Sequence, residues 1–475
     1  MRRMSLATLL VPVLCSLAIS LAPLEAQAPG TAVMPAALPA PMPRPGVDHF
    51  RARRDALRQK LGTGVAVLLG ARKPDNMGAF SQSQDFFYLS GVDEPELAML
   101  IGTDGAGNAI DELLVPPYSR FTAQWEGEFL APGEKAAEKS GFAVVGNVRN
   151  LTGRLDEIFG ADGAKASTMW LLFTPAVPMG GTPGQTLTAL SEQQGDAFDG
   201  RDSREHRFKA AMEARFASVA RKDLTRPLHA LRAHKSPAEV LLLTRSAEIA
   251  AEGIAEAMKS SRPGLYEFQL AAVARYVFSL RSAGPDAYGA IVGTGKNGCV
   301  LHYMKNSAEL QDGELVVMDY APTVSGYASD VTRTFPVNGT FTDAQRKLVQ
   351  DVYDVQQALI GEIKPGAKLS ALSQRCSELL RARGYRSDHG PCHHVGLAVH
   401  DPSVDELEEG MVLTVEPGAY LRDQGMGCRI EDTILVTATG CEVLSKAVPS
   451  TPDAIEALMR ESGLVDVEVG LPAGK

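Results

Sequence analysis

Nine histidines and six cysteines are all that this 475-residue chain holds of those two types, and tryptophan occurs only twice. The cysteines (Cys15, Cys299, Cys376, Cys392, Cys428 and Cys441) are scattered and form no CxxC pair. That excludes a disulfide framework and a thiolate-based structural zinc. Basic runs are also missing. Lys and Arg total 47 against 57 Asp and Glu, a formal net charge of -10. With no cluster of Lys or Arg after the first residues, nucleic acid is not expected as a partner. There is no HExxH, so the helical zinc-protease arrangement is out. Past the N-terminus no stretch of 18 apolar residues occurs, so no later spanning helix is expected. No internal repeat is evident.

What is present begins with the leader. Arg2 and Arg3 precede the apolar run SLATLLVPVLCSLAISLAPL, and Ala26-Gln27-Ala28 follows as a small-x-small site. This is the layout of a secretory signal peptide over 1–28, and Pro12 argues against a retained anchor. Export to a periplasmic or extracellular space is expected, with no membrane partner after cleavage. Residues 29–46, rich in Pro and Ala, read as an extended linker. The five cysteines beyond the leader are expected as thiols, with room for a bridge or two in an oxidising compartment.

The length supports two further domains. Residues 47–220 alternate helix and strand, the signature of an α/β domain. A helix is expected over 50–61 and another around 149–159. Strands are expected at VAVLLG (65–70), DFFYLSG (85–91), LAMLIG (97–102), ELLVPP (112–117) and WLLF (170–173), with a long loop over 175–205. From 221 to 460 the pattern is α+β, with a tail at 461–475. Helices are expected at 237–260, 266–284, 343–362 and 368–383. Strands are expected at AIVGTG (290–295), CVLHYM (299–304), ELVVMDY (314–320), YASDVTRTFPV (327–337), VGLAVHD (395–401), MVLTVEPGAY (411–420) and CRIEDTILVT (428–437).

Four carboxylates stand inside these strand-like runs. In ELVVMDYAPTVSGYASDVTRTF a hairpin centred on Val324/Ser325 would set Asp319 opposite Asp330, and like charges facing each other need a compensating cation. A bulge that turns the two apart is the alternative. Glu416 in LTVEPG and Glu431 in CRIEDTI are costly in a buried strand unless paired or metal-bound. Four of the scarce histidines fall in HGPCHHVGLAVHD (389–401). Gly390 and Pro391 rule out a helix there, so these histidines occupy separate places on a loop. Several carboxylates with one imidazole suit Mn(II), Zn(II), Co(II) or Fe(II). That much negative charge is balanced better by two ions than by one, and a pair about 3.5–4 Å apart serves hydrolysis.

Taken in order, Asp319, Asp330, His393, Glu416 and Glu431 resemble the five metal ligands of the pita-bread metallopeptidases. That family includes methionine aminopeptidase, prolidase and aminopeptidase P, with creatinase as a metal-free relative. The words HY (302–303), GYASDVTRTFP (326–336), HGPCHHVGLAVHD, EPGAY (416–420) and RIED (429–432) match as well. QSQDFFYLSG (82–91) and the segment around Trp125 are similar to the N-terminal domain of aminopeptidase P. The resemblance implies an α/β N-terminal domain and a pita-bread catalytic domain. It implies that Asp319 binds one metal, that Asp330 and Glu431 bridge two, and that His393 and Glu416 complete the second site. Glu416 would also take the proton of the attacking water. His302 and His400 would contact the scissile carbonyl and the tetrahedral intermediate, His389 would line a proline pocket, and Tyr420 and Arg429 would order the network or the substrate. His394, where aminopeptidase P often has an aromatic, and Cys392 depart from the pattern.

The implied activity is an Xaa-Pro aminopeptidase with two divalent ions, Mn(II) foremost, acting on peptides with proline second. A prolidase restricted to Xaa-Pro dipeptides shares every ligand and is the runner-up. A metal-free binding module is disfavoured by the intact ligand set, and a methionine aminopeptidase by the long first domain. A homo-oligomer, dimer or tetramer, is implied by the resemblance alone.

Overall fold

The computed structural model of the chain describes residues 40–74, 78–160, 166 and 168–466. The expected signal peptide (1–28), most of the linker and the end of the tail lie outside the described residues. Of the linker, residues 41–46 carry no regular structure. They nevertheless fold back: Arg44 pairs with Asp93 at 3.0 Å, and Ser325 Oγ donates to the Met42 carbonyl. Among the described residues no helix is long and apolar enough to cross a membrane.

The N-terminal part is a mixed six-stranded sheet. Its strands run, edge to edge, Val144–Asn147, Ala109–Val115, Ala98–Thr103, Gly64–Leu69, Thr168–Leu171 and Ala220–Asp223. Gly64–Leu69 lies antiparallel to Ala98–Thr103, which lies antiparallel to Ala109–Val115, while Gly64–Leu69 runs parallel to Thr168–Leu171 on its other side. Both faces of Gly64–Leu69 and Ala98–Thr103 are buried, which is why these central strands read as near-continuous apolar runs. Val65, Val67, Ala98 and Leu100 face Leu155, Ile158, Phe159 and Phe216 in a local core. Ala66, Leu68, Met99 and Ile101 point the other way, into a core continuous with the rest of the chain.

DFFYLSG is a helix, Gln84–Ser90, and not the expected strand. Phe86, Phe87, Tyr88 and Leu89 are all buried, so no polar face marked the helical period, and a short apolar run cannot be told from a strand by pattern. Gly91 ends it in the left-handed conformation at φ 65°, where a Cβ would stand 2.4 Å from the Phe50 ring. The 175–205 loop contains a further helix, Pro183–Gly195, started by a Thr182/Gln185 capping box but burying no residue. With no apolar face, nothing in its sequence signalled a packed helix.

In the C-terminal part the helices Pro237–Ser260, Glu267–Leu280, Asp343–Glu362 and Leu369–Ala382 pack on short, mostly antiparallel strands. CVLHYM is a 3-10 turn ending at Cys299 followed by loop, and VGLAVHD is a bent loop. AIVGTG and ELVVMDY form the strands Ile291–Thr294 and Leu315–Asp319, and the other three runs are interrupted. YASDVTRTFPV breaks into Tyr327–Ala328 and Thr332–Pro336, MVLTVEPGAY into Val412–Val415 and Gly418–Leu421, and CRIEDTILVT into Met426–Arg429 and Asp432–Val436. Buried side chains take up the backbone groups these breaks release. Gln356 donates to the Val415 and Ile430 carbonyls at 3.2 and 3.3 Å. Arg333 donates to the carbonyls of Thr332, Glu431 and Val448 and to Asp432.

Candidate metal centre

The strand interruptions place the acids. Asp319 is the last residue of Leu315–Asp319, and Asp330, Glu416 and Glu431 each occupy a gap between two strands. The hairpin between Asp319 and Asp330 turns on Ser325 and Gly326, both left-handed at φ 49° and 90°. The centre therefore lies one residue beyond the expected one, and Asp319 pairs with Thr332 rather than Asp330. A shift of two in partner keeps the same face, so the carboxylates still converge. Thr433 holds Asp330 in the gap: its hydroxyl accepts from the Asp330 N–H and donates to the Asp330 carbonyl at 2.8 Å. The histidine segment runs beside Val412–Val415, with Val395 N–H donating to the Val412 carbonyl, Thr414 N–H to His393 and Glu416 N–H to Pro391.

The result is a cavity of about 450 Å³. Its walls include His302, Asp319, Asp330, His389, His393, His400, Glu416, Arg429 and Glu431, nine of the ten residues singled out from sequence. Tyr420 is the exception. It is 8% exposed and lies behind the wall, its hydroxyl 3.0 Å from His389 Nε2 and 3.3 Å from Arg429 Nη1. His394 is fully buried away from the cavity lining, with Nε2 3.0 Å from the Val404 carbonyl; it is a packing residue. Cys392 does line the cavity, and burial followed by Glu416 pushes its thiol well above the ordinary range.

Asp330, His393 and Glu431 bring one donor atom each within 4.8 Å of one another. His393 Nε2 is also 3.4 Å from Glu416 Oε1. Arg429 Nη2 donates to Asp319 at 2.7 Å, and the Tyr288 hydroxyl donates to its other oxygen. Thr332 donates to Glu431 Oε2 at 2.6 Å while accepting from Arg429 Nε. Sequence reasoning missed Tyr288 and Thr332 as site residues. Thr332 was visible in GYASDVTRTFP; Tyr288 carried no signal of its own. Gly180 and Gln185, from the stretch taken as loop, also line the cavity.

The electrostatics divide the site. Burial is the largest influence on Glu431, and with Asp330, Glu416 and Asp319 it holds that carboxyl's pKa well above the carboxylate range. Burial, then Asp330, pushes Asp319 up to about 7 against the pull of Arg429. Burial also pushes Glu416 up to about 7, opposed by His393 and Arg429. Burial opposes charge on His393 too, yet Asp330 and Glu416 outweigh it and raise its pKa to about 9. Around this acidic centre the other histidines are held toward the neutral form. Burial and then Arg429 lower His389 to about 4, and burial and then His393 lower His400 to about 4. His302 is lowered for the same first reason.

This donor set fits divalent cations. Two carboxylate oxygens, Asp330 Oδ1 and Glu431 Oε1, are buried with no hydrogen-bond partner. Leaving such an atom unsatisfied costs about 1–3 kcal/mol, more when it is charged. Four acids facing one imidazole and one guanidinium require added positive charge to be ionised together. Oxygen-rich donors of this kind belong to hard or borderline cations rather than thiolate-bound zinc.

A cleft of converging acids with neutral imidazoles on its walls is the arrangement of a metal-dependent hydrolase. The sequence model of metallopeptidase family M24 matches residues 242–438, and that of the aminopeptidase P N-terminal domain matches residues 50–167. Xaa-Pro aminopeptidase of Escherichia coli (strain K12) is 33% identical over 459 residues, covering 86% of this chain and 97% of its own. Mitochondrial intermediate cleaving peptidase 55 of Arabidopsis thaliana is 30% identical over 445 residues, covering 87% and 83%. The solved structure of aminopeptidase P from E. coli with the inhibitor Pro-Leu matches at TM-score 0.74 and 28% identity, over 88% of this chain and 99% of that one. The chain belongs to metallopeptidase family M24.

Proposed function

We propose that the chain is a metal-dependent Xaa-Pro aminopeptidase, releasing the first residue of peptides whose second residue is proline. The observation that carries this is the cavity itself: five potential ligands converge beside three neutral histidines, in a chain that matches aminopeptidase P along its length. The match to the N-terminal domain supports the aminopeptidase over a dipeptide-only prolidase.

Asp319, Asp330, His393, Glu416 and Glu431 would hold two divalent ions. Manganese is our choice because the donors are chiefly oxygen; a zinc-substituted form of the E. coli relative has been solved. When bound, such ions acidify a water molecule and polarise the scissile carbonyl. The protein's residues do the rest. Glu416 takes the water's proton. The acidic cluster receives the substrate's amine. His400, neutral, donates to the oxygen on which charge develops, and His302 flanks the carbonyl. His389, steadied by Tyr420, borders the proline, and Arg429 orients Asp319 while tying Thr332 to Glu431. Pro-Leu, the ligand of the E. coli structure, begins with proline as a product of this reaction would.

We further propose export through the 1–28 leader and assembly as a dimer or tetramer. The test of the activity is cleavage of Xaa-Pro-Yaa, Xaa-Ala-Yaa and Xaa-Pro by the Mn(II)-loaded protein, followed by mass. Chelator-sensitive release of Xaa from Xaa-Pro-Yaa is expected. Cleavage of the dipeptide alone would make it a prolidase, and no cleavage with any of several metals would sink the enzyme reading.

A further inference from the structure

QSQDFFYLSG does not touch the catalytic cavity, yet its Asp85 reaches the loop that carries His400. Asp85 sits in the first turn of the Gln84–Ser90 helix and accepts from Arg232 Nη1 at 2.6 Å. His229 Nε2 stands 3.4 Å from its second oxygen. Arg232 uses its other arm on Asp401, donating from Nη2 to Oδ1. Lys235 Nζ reaches Asp401 Oδ2 at 3.2 Å. Asp401 in turn closes its own loop, with its N–H donating to the His394 carbonyl at 2.9 Å and its Oδ1 accepting from the Ala398 N–H at 3.3 Å. Gly396 makes room for this: a Cβ there would lie 2.4 Å from Asp401 Oδ2.

His400 lies between Ala398 and Asp401, which the Asp401 carboxylate ties together. Its own ring is poorly tethered. Nδ1 is buried without a partner, and the ring is otherwise held by the Gly181 backbone, a hydrogen-bond partner, and by stacking on His393 at 4.2 Å. A ring with so few bonds takes its position from its backbone. The backbone here is set by Asp401, Asp401 by Arg232, and Arg232 by a carboxylate in another part of the chain. The planar fork of arginine suits this, since one guanidinium reaches two carboxylates in fixed directions.

We infer that Asp85 is a positioning residue for the reaction, acting through Arg232 and Asp401 to present His400 to the substrate. This rests on the reading of His400 as the oxyanion donor. A displacement of about 1 Å at a catalytic group lowers rate by about a hundredfold, so loss of the Asp85 charge is expected to lower turnover tenfold to a hundredfold.

The experiment is a double-mutant cycle on an Xaa-Pro-Yaa tripeptide with the Mn(II)-loaded full chain. It compares wild type, Asp85→Asn, His400→Ala and the double variant, each checked for folding by circular dichroism and for Mn(II) binding by calorimetry. Asp85→Asn is expected to lower kcat while KM stays within about twofold and Mn(II) binding is unchanged, and to have no effect once His400 is alanine. Equal losses in both backgrounds would show a structural role and overturn the inference, as would full kcat in Asp85→Asn. Should Asp85→Asn not fold, Arg232→Lys carries the same cycle: it keeps the charge but cannot fork to both carboxylates. An inactive wild type overturns the proposed function itself, and this inference with it.

Discussion

Two groups of buried acids lie on either side of His400, and they are built on opposite terms. Asp85 and Asp401 face Arg232 and Lys235, two cations for two anions, with side chains no more than 14% exposed. Burial, which alone would raise their pKa values, is overcome by Arg232 in both, and both fall below the usual carboxylate range. Among the described residues the cations facing Asp319, Asp330, Glu416 and Glu431 are Arg429 and His393; three of the four acids are pushed upward, and His393 holds Asp330 down against burial. Equally buried carboxylates can therefore fix a loop in place or await a ligand, and the balance of nearby protein cations tells which. A complete ion pair needs no further ligand. An acid cluster short of cations is a site that needs a ligand.

The comparison can be broken most sharply at Glu431. Glu431→Gln keeps the shape and the hydrogen bond from Thr332 but removes one charge from the centre. Turnover is expected to fall about a thousandfold, the scale of losing several kcal/mol of metal-derived stabilisation. In chelator the same variant should melt no lower than wild type, because burial and the neighbouring acids already hold this carboxyl toward its neutral form, which glutamine mimics. A marked drop in Tm in chelator would mean that the carboxylate is structural.

Arg232→Ala should do the reverse. It strips the shared cation from Asp85 and Asp401 and is expected to cost about 3–5 kcal/mol of stability, the usual result of leaving buried charge unpaired. Denaturant unfolding would read this, and a loss under about 1 kcal/mol would contradict the pairing described here.

A smaller effect is expected from pH. In wild type the folded pKa values of Asp85 and Asp401 are depressed. Their contribution is therefore complete above the unfolded value of about 4 and lost as pH falls through the lower folded values. In Arg232→Ala the offset to burial falls to His229 and Lys235, the folded values rise, and the stability the two acids contribute at neutral pH shrinks. The gap in Tm between wild type and variant should narrow as pH is lowered below about 4. A gap that stays constant across that range would assign the loss to packing instead.

Much of the site was legible because its chemistry is local in sequence. Each acid stands in a run of apolar, β-branched neighbours where a charge is out of place, and His393 stands in a segment holding four of nine histidines. The face shared by Asp319 and Asp330 followed from strand alternation and survived an error in the turn, because a shift of two positions preserves the face. The helix at 84–90 was missed because it is buried all round, and the helix at 183–195 because none of it is. The loop at 395–401 looked like a strand because its apolar residues pack in the core without pairing in a ladder.

The sequence by itself determined the order and identity of the ligand residues, the α/β then α+β succession of elements, and the family, since all three rest on side-chain types and short-range periodicity. Tertiary structure alone decided where those ligands meet, that Tyr288 and Thr332 brace them, and that Tyr420 stands behind the wall. It alone joined Asp85 to Arg232 across 147 residues and Arg232 to Asp401 across 169. Contacts so distant carry no local pattern. They form only when packing of the apolar elements has already brought the chain together, and a buried charge then persists only where a partner has come within reach.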